Sequence, residues 1–366
     1  MYFKTSIGMA GAVVHSNKYK AKILLSDAKK SILVSVDDDK YIYQKKDRVW
    51  IVRQGEVSKY LFNIALPVWK RIVIKFRPIE RLLRTEIRAA LVYKYKLYFA
   101  SEGILWTYDF RKSKLNKEIH FRKGMRSPLE LTAIEGLVGF GNQICFGEYF
   151  SNDKREEVRI WSKQSSKWRI AYTFSKGKIR HIHGLRVDPY RNCVYIMTGD
   201  NDSESNIWIA GDNFKDIKPM LEFGQQSRCC QMQIRKDKIL YVTDSESEPN
   251  NLYCLKFDEN DCLMDREMIA DFKGSVIYGC NDDEGENFYF STTVEPNKGS
   301  ISTRNVKVYK VDCKLGITVL FGANKDCLPM KLFQYGSVRL KIHGKTILAT
   351  VCGLRGYDGK TISLKG

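Results

Sequence analysis

A pattern of short apolar segments recurs along this chain of 366 residues and limits the folds open to it. Each copy contains a short apolar segment, a polar turn, a stronger aromatic or β-branched segment, a polar loop and a further apolar segment. Seven copies begin at Val36, Leu91, Leu137, Leu185, Met232, Ile277 and Leu340. The middle five start about 46 residues apart, and helical periodicity is scarce throughout.

This period predicts an all-β fold: a single β-propeller of about seven four-stranded blades that occupies residues 1–366. A sheet of that size cannot bury both faces alone, so neighbouring blades must stack and close into a ring. The first and last copies are the least regular. We therefore expect the segment before Lys29 to supply a strand that closes the ring with the C-terminal blade. Six or eight blades are the structural alternatives.

The chain is strongly basic, with 61 Lys and Arg residues against 42 Asp and Glu and a formal net charge of +19. Such an excess favours acidic partners such as acidic polysaccharide, anionic membrane or nucleic acid. The densest basic stretch, Lys70 to Arg88, fits either a solvated inter-blade helix or strand, or an anion-binding or membrane-surface patch. Because no RNA-binding module with paired aromatics is present, the sequence argues against a nucleic-acid partner.

The cysteines and the N-terminus bear on the compartment. None of the ten cysteines forms a C-x-x-C zinc motif, and several, such as Cys145 and Cys193, lie in apolar runs as small hydrophobes. The apolar run from Ile7 to Val14 is too short to span a bilayer and makes a poor signal peptide. We therefore expect a reduced, cytoplasmic protein without a transmembrane segment.

Polar entry segments of the blades are predicted to converge at one end of the axis. His181 and His183 follow Arg180, and their i, i+2 spacing turns both rings to one side of an extended chain. That arrangement suits a metal-ligand pair, a general base with its partner, or histidines that hydrogen-bond to blade backbones. In the next entry, Gln226 and Arg228 would clamp a carboxylate or sugar hydroxyls, or bridge neighbouring blades.

Acidic residues end the second strand in four successive copies: Glu102, Glu148, Asp200 and Asp244. Neighbouring carboxylates raise one another's pKa for general acid work, or bind a divalent cation. Alternatively, they only cap turns. A divalent metal ion is therefore a candidate cofactor, with His181 and His183 as candidate ligands, although the sequence makes no cofactor certain.

Two turns carry a resemblance to a known family. The segment 210–217, Ala-Gly-Asp-Asn-Phe-Lys-Asp-Ile, resembles a degenerate Asp-box, the turn between outer strands in sialidase-like propellers, with Asp212 in the Asp position. The segment 161–168 is similar but lacks the Asp. Because Asp-boxes are structural, the resemblance implies the propeller fold more than an activity.

The same resemblance draws attention to Tyr335, which enters the last copy. Sialidases use a late tyrosine as nucleophile, with a carboxylate partner, and three arginines to hold the substrate acid. Arg228 and Arg180 would serve as two of those arginines, and no third can be matched. An aromatic platform for a sugar ring is the alternative role for Tyr335.

These features predict a carbohydrate-active propeller that binds or cleaves an acidic oligosaccharide or polysaccharide, as a glycoside hydrolase or polysaccharide lyase. His183 or His181 would act as base, Arg228 would neutralise the substrate acid, and Glu148 or Asp244 would be the acid or a cation ligand. Asp200, Arg180 and Gln226 would bind substrate. Motifs of P-loop, Rossmann, α/β-hydrolase and HExxH enzymes are absent. The alternative is a non-catalytic scaffold for protein partners, with the Lys70 to Arg88 segment as its interaction surface.

Overall fold

Seven four-stranded antiparallel sheets are arranged radially as the blades of a β-propeller in the computed structural model of the chain. The first strand of each blade lies nearest the axis, where it contacts the first strands of the neighbouring blades. The predicted fold class and blade number are therefore confirmed. The structure describes residues 31–53, 55–282, 284–296 and 303–365, and the backbone of 14–15 and 22–23.

The first four blades are built from strands that follow one another in the chain. Two short strands precede them, β1 (Val14–His15) and β2 (Lys22–Ile23). The first blade contains β3 (Ser31–Ser35), β4 (Lys40–Lys45), β5 (Arg48–Arg53) and β6 (Lys59–Asn63). The second contains β7 (Ala90–Tyr93), β8 (Lys96–Ser101), β9 (Ile104–Asp109) and β10 (Lys114–His120). The third contains β11 (Thr132–Ile134), β12 (Gln143–Gly147), β13 (Val158–Lys163) and β14 (Trp168–Phe174). The fourth contains β15 (His181–Asp188), β16 (Cys193–Gly199), β17 (Asn206–Gly211) and β18 (Asp216–Pro219).

The last three blades continue the pattern. The fifth contains β19 (Cys229–Ile234), β20 (Lys238–Thr243), β21 (Asn250–Phe257) and β22 (Leu263–Phe272). The sixth contains β23 (Tyr278–Asn281), β24 (Phe288–Ser291), β25 (Asn305–Val311) and β26 (Ile317–Asn324). The seventh contains β27 (Ser337–His343), β28 (Thr346–Cys352) and β29 (Thr361–Lys365), and its fourth strand is β2.

The N-terminal strands join the blades at the end of the chain. β2 pairs antiparallel with β29 and completes the seventh blade, while β1 adds a parallel fifth strand to the outer edge of β26. Between the seventh and first blades, the Ile32 amide donates to Thr350 Oγ1 at 3.0 Å. Ile32, Tyr43 and Leu348 form a buried cluster at this junction. Chain segments more than 300 residues apart thus close the ring.

Two copies of the repeat begin earlier in the structure than the sequence pattern predicts. In the third blade the innermost strand is β11, and Leu137 lies in the following turn. Gly136 and Gly139 in that turn have φ angles of 71° and 78°, a left-handed conformation that ends a strand and that glycine adopts without strain. In the first blade, Val36 likewise follows β3. Because Leu137 and Val36 are apolar, the sequence pattern predicted the start of a strand where the structure has already ended one.

Apolar packing between adjacent blades forms the core. Every residue of β12 and β16, the second strands of the third and fourth blades, is buried, because neighbouring blades cover both faces of the sheet there. Between the fifth and sixth blades, Phe272 packs against Phe290 with ring centroids 5.1 Å apart, and Phe290 stacks on Tyr309 at 5.3 Å. Full burial of such a side chain contributes about 1.5–3 kcal/mol. Blade-to-blade contact is therefore the main source of stability.

Helices interrupt the strand pattern at two connections between blades. The connection from the first to the second blade contains α1 (Val68–Val73) and α2 (Arg77–Leu83), and the connection from the sixth to the seventh contains α3 (Met330–Phe333). Ile74, just after α1, is fully buried in the core of the first two blades. Connections of this kind and the loops between second and third strands lie at the same end of the ring, which we call the top face.

Buried arginines attach this helical insert to the seventh blade. Arg77 donates two hydrogen bonds of 3.1 Å to Asp358, and a third of 2.6 Å to Glu86. The side chain of Arg81 is fully buried, donates to the Phe333 carbonyl at 2.7 Å and forms an ion pair with Asp326. Of the two predicted alternatives, helix or strand, the structure has helices here. The expectation that its charges are solvated is wrong for these two arginines, because they bind Asp358 of the seventh blade and Asp326 of the connection that leads to it.

The ion pairs between Glu86 and its two arginines should make the free energy of unfolding depend on pH. Burial raises the pKa of Glu86, but Arg77 and Arg339 outweigh it and lower that pKa from 4.5 to about 2. A lowered pKa stabilises the fold above pH 4.5, and the stabilisation is lost as pH falls towards 2. We predict that Glu86→Gln costs about 3 kcal/mol at pH 7 and progressively less below pH 4.5, measured by urea unfolding. Glu56→Gln, which alters an exposed pair with Arg53, should show no such trend.

Candidate functional site

A polar cavity of about 380 Å³ opens at the top end of the propeller axis. Its lining contains five carboxyl groups, four guanidinium groups, three tyrosines, one histidine and two cysteines. The carboxyl groups belong to Glu86, Asp200, Asp244, Glu246 and Glu295, and the guanidinium groups to Arg84, Arg88, Arg228 and Arg339. The tyrosines are Tyr149, Tyr278 and Tyr335. Residues from most blades meet here because each inner strand is entered from this end.

A histidine pair lies at the start of β15. In the register between β15 and β16, the pairs pass from Ile182–Thr198 to Gly184–Met197, so His183 is the extra residue of a β-bulge. Bulges change the direction of side chains, and here the two Nε2 atoms of His181 and His183 lie 3.1 Å apart. His183 is almost fully buried, and burial lowers its pKa despite the opposing hydrogen bond with Asp200.

Asp200 and Arg228 connect the histidine pair to the cavity. Asp200 Oδ1 lies 3.1 Å from His181 Nε2, 3.3 Å from His183 Nε2 and 3.1 Å from Arg228 Nη2. Burial raises the pKa of Asp200, but hydrogen bonds with the two histidines lower it well below its usual range. Arg228 also donates to Glu246 at 3.2 Å. Asp200 is therefore an ionised centre shared by two imidazoles and a guanidinium group.

Two carboxyl groups on the other side of the cavity have raised pKa values, in contrast to Asp200. Burial raises the pKa of Asp244 well above its usual range, although Arg228 lies 3.6 Å away and opposes this. Burial also raises the pKa of Glu295 to about 7, against a 2.9 Å hydrogen bond from Ser275. The thiol of Cys230 donates to Asp244 Oδ2 at 3.3 Å. The cavity thus combines carboxyl groups with lowered and with raised pKa values.

Six of the residues predicted from the sequence meet at this place. His183, Asp200, Arg228, Asp244 and Tyr335 line the cavity. His181 lies beside them, packed against the Tyr149 ring with centroids 4.3 Å apart. Arg180 is on the rim, 2.9 Å from Asp153 and 3.6 Å from Asp200.

The predicted convergence does not extend to Glu148, Gln226 and Glu102. Glu148 is buried in the third blade, where it accepts hydrogen bonds from Arg122 and Trp161 at 3.1 Å. Gln226 accepts from Asn251 and Tyr253 at 2.8 and 3.0 Å. Glu102 pairs with Lys70. Each of these side chains stabilises a loop or a blade contact and lies outside the lining of the cavity.

Several lining residues were missed by sequence reasoning. Glu295 follows the second strand of the sixth blade by four residues, so the position of the acids in other copies could have indicated it. No sequence pattern indicated Arg84 and Arg88. They reach the axis because the helical insert folds over the top face. Among the described side chains, these two arginines have no ion-pair partner.

The turn that resembles an Asp-box lies between the outer strands β17 and β18, as the resemblance implies. Its Asp212 is exposed and pairs with Lys215 at 3.2 Å. The Asp212 backbone approaches Gly139, in the turn between the first two strands of the third blade, at the end of the ring opposite the cavity. This turn takes no part in the axial site.

The fold and the site together define a seven-bladed β-propeller with a polar axial cavity. No family model matches the sequence, and no curated protein matches it. None of the helices in the described part of the chain is long and apolar enough to cross a membrane.

Solved structures resemble the chain in fold alone. The AfRom2 CNH domain has a TM-score of 0.58 at 8% identity and covers 95% of this chain and 99% of its own. A chain from a structure of the mitotic checkpoint complex has a TM-score of 0.54 at 8% identity, and the match covers 100% of this chain and 98% of that one. U3-55K has a TM-score of 0.55 at 9% identity, and the match covers 95% of this chain and 98% of that one. At 8–9% identity these likenesses show the propeller fold alone, and the comparisons give no support to the sialidase resemblance.

Substitution of Asp244 should test the electrostatics of the cavity. Because its pKa is raised in the folded state, ionisation opposes folding as pH rises above the ordinary value of 3.8. We predict that Asp244→Asn is as stable as the wild type at pH 4 and more stable at pH 8. The gain should be about 1.4 kcal/mol for each unit of the raised pKa, measured by urea unfolding. Asp216→Asn, on the surface, should match the wild type at both pH values, and a less stable Asp244→Asn at pH 8 would contradict this account.

Proposed function

We propose that the chain is a non-catalytic propeller scaffold that binds a protein partner through an apolar patch on α1. The patch consists of Val68, Trp69, Ile72 and Phe76, whose side chains are 73%, 55%, 59% and 71% exposed. This exposure is the observation that carries the proposal. Large apolar side chains clustered on a surface mark an interaction site, since a solvated cluster forgoes the gain of burial.

Helical spacing brings the patch residues together. Val68 and Ile72 are four residues apart and Trp69 and Ile72 three apart, so they share one face of α1. Phe76 follows one turn later, and its amide donates to the Val73 carbonyl at 3.2 Å. The opposite side is anchored by buried Ile74 and partly buried Val73. The helix therefore presents its outer face on a fixed support.

Charges beside the patch indicate the chemistry of the partner. Lys75 is exposed next to Phe76, and Arg71 is partly exposed beside Ile72, 3.8 Å from Asp47. The whole chain carries a formal charge of +19. A partner segment with apolar anchors and acidic flanks complements this surface best. Aromatic residues such as Trp69 commonly dominate the energy of such contacts.

The structural neighbours also favour a scaffold. One is a chain from a structure of the mitotic checkpoint complex. At 8–9% identity they support a fold suited to protein contacts and identify no partner.

The acidic-glycan hypothesis has weaker support. Arg228 is engaged by Asp200 and Glu246, and Arg339 is engaged by Glu86, so half of the cavity's arginines already bind protein carboxylates. A cavity with five carboxyl groups is also poorly suited to a polyanion.

A patch variant provides the test of the scaffold proposal. A photo-crosslinking residue in place of Trp69 should identify the partner in extracts of the native host, and binding of that purified partner is then measured. We predict that Trp69→Ala, Ile72→Ala and Phe76→Ala combined weaken binding by at least about 30-fold, the effect of losing 2 kcal/mol from central anchors. Binding should also weaken as salt rises.

The matched control is Val138→Ala, a substitution of a residue that is 79% exposed at the opposite end of the ring. It should leave binding unchanged, and neither variant should lose more than about 0.5 kcal/mol of stability. Equal partner binding by the patch variant and the control would overturn the proposal. So would a patch that binds anionic vesicles and crosslinks to no protein, because this result would assign α1 to a membrane surface.

A further inference from the structure

Three atoms that carry lone pairs converge beside the axial cavity. His181 Nδ1 lies 3.2 Å from the Phe150 carbonyl, and His183 Nδ1 lies 3.0 Å from the Cys229 carbonyl. A carbonyl only accepts hydrogen bonds, so each Nδ1 must carry the ring proton. In the neutral imidazoles both Nε2 atoms are then bare and face each other and the Asp200 carboxylate. A hydrogen bond from either Nε2 to Asp200 therefore requires a second proton on that ring, and a metal ion would take the place of this proton.

The spacing of these atoms matches a coordination site. The two Nε2 atoms are 3.1 Å apart, and Asp200 Oδ1 lies 3.1 and 3.3 Å from them. Ligands about 2.0–2.1 Å from a tetrahedral zinc ion are separated by about 3.3 Å. Without a positive charge between them, three lone-pair atoms at these distances would repel one another.

We propose that His181, His183 and Asp200 bind a divalent transition-metal ion, with Zn²⁺ as the ion to test first. Two imidazoles and one carboxylate are a ligand set that zinc and non-haem iron accept. The inference rests on the ligand geometry alone and is independent of the scaffold proposal.

The surroundings hold the three ligands in place. Each histidine is oriented by the backbone carbonyl that accepts from its Nδ1, the arrangement typical of metal-bound histidines. The Tyr149 ring packs against both imidazoles, with centroid distances of 4.3 and 6.2 Å. Arg228 donates to Asp200 and fixes the carboxylate from its other side. Both histidines are at least 95% buried, so little rearrangement is needed for binding.

The remaining coordination positions face the cavity. His183 and Asp200 both line it, which leaves room for a water molecule or a ligand on the metal. Asp244 lines the same cavity and is 4% exposed, yet its Oδ1 has no hydrogen-bond partner among the described residues. A water molecule bound to the metal would provide a donor for this buried oxygen.

A second group nearby is less suited to a metal. His183, Cys230 and Asp244 place their ligand atoms within 4.8 Å of one another. However, Cys230 donates its thiol hydrogen to Asp244, and burial raises its pKa well above the usual range. A thiol is a poor ligand compared with a thiolate. Cys230 is therefore excluded from the proposed set, and this exclusion can be tested.

Metal titration of the full chain, first stripped with a chelator, tests the proposal. Zn²⁺ binding is followed by isothermal titration calorimetry, and Co²⁺ binding by its visible absorption, which reports nitrogen and oxygen ligation directly. We predict one ion per chain for the wild type. His183→Gln should weaken binding by more than about 100-fold, since it removes a direct ligand, whereas loss of an outer partner costs 10–100-fold. Zn²⁺ should also raise the Tm of the wild type and not of this variant.

Three variants serve as controls. His120→Gln alters an exposed histidine and His343→Gln a buried one that pairs with Ser35 at 3.0 Å, and both should bind Zn²⁺ as the wild type does. Cys230→Ser should also retain binding. If His183→Gln fails to fold, Asp200→Asn is the second variant, because that side chain is 26% exposed and lies in a loop.

Two results would overturn the proposal. One is a wild type that binds neither Zn²⁺ nor Co²⁺, which would mean that the histidine pair holds an extra proton in place of a metal. The other is unchanged affinity in both His183→Gln and Asp200→Asn, which would place the ion elsewhere.

Discussion

Packing between blades is the constraint on which the rest of this structure depends. Each four-stranded sheet has two apolar faces, and second strands such as β12 and β16 are buried along their whole length. These faces can be covered only by neighbouring blades, so the sheets must continue around the axis until the seventh meets the first. The pairing of β2 with β29 and the contacts of Ile32 with the seventh blade complete this closure. Every polar segment at the top of an inner strand is thereby brought to one cavity.

Ion pairs with little solvent exposure fix the position of the helical insert on the ring. Arg77 and Arg81 bind Asp358 and Asp326 of the top-face loops, so the insert is attached to blades that lie far from it in sequence. Breaking one partner of such a buried pair is strongly destabilising, because it leaves an uncompensated charge. The attachment gives the insert two faces of different character. Arg84 reaches the axial cavity, while Trp69 and its neighbours point to solvent.

The local backbone decides the chemistry of the cavity. A β-bulge at His183 brings its ring against His181, and two backbone carbonyls fix both tautomers. Asp200 follows β16 and meets this pair from the adjacent strand, while Arg228 arrives from the next blade. The same cavity thus contains an ionised carboxylate beside the imidazoles and carboxyl groups with raised pKa values opposite. Burial raises the pKa of each of these groups, and at Asp200 the two histidines reverse the effect.

The sequence by itself determined the fold class, a count of about seven blades with six or eight left open, and the meeting of His183, Asp200, Arg228, Asp244 and Tyr335, because a repeating strand pattern closes into a ring whatever its details. It could not place Glu148 or Gln226, since either side chain could have pointed to the axis or into a blade contact. Nor could it predict Arg84 in the cavity or Trp69 in an exposed patch. Those positions follow from ion pairs of the insert with the seventh blade and with the connection that leads to it. These partners are 281 and 245 residues apart in sequence and are brought together only by the closed ring.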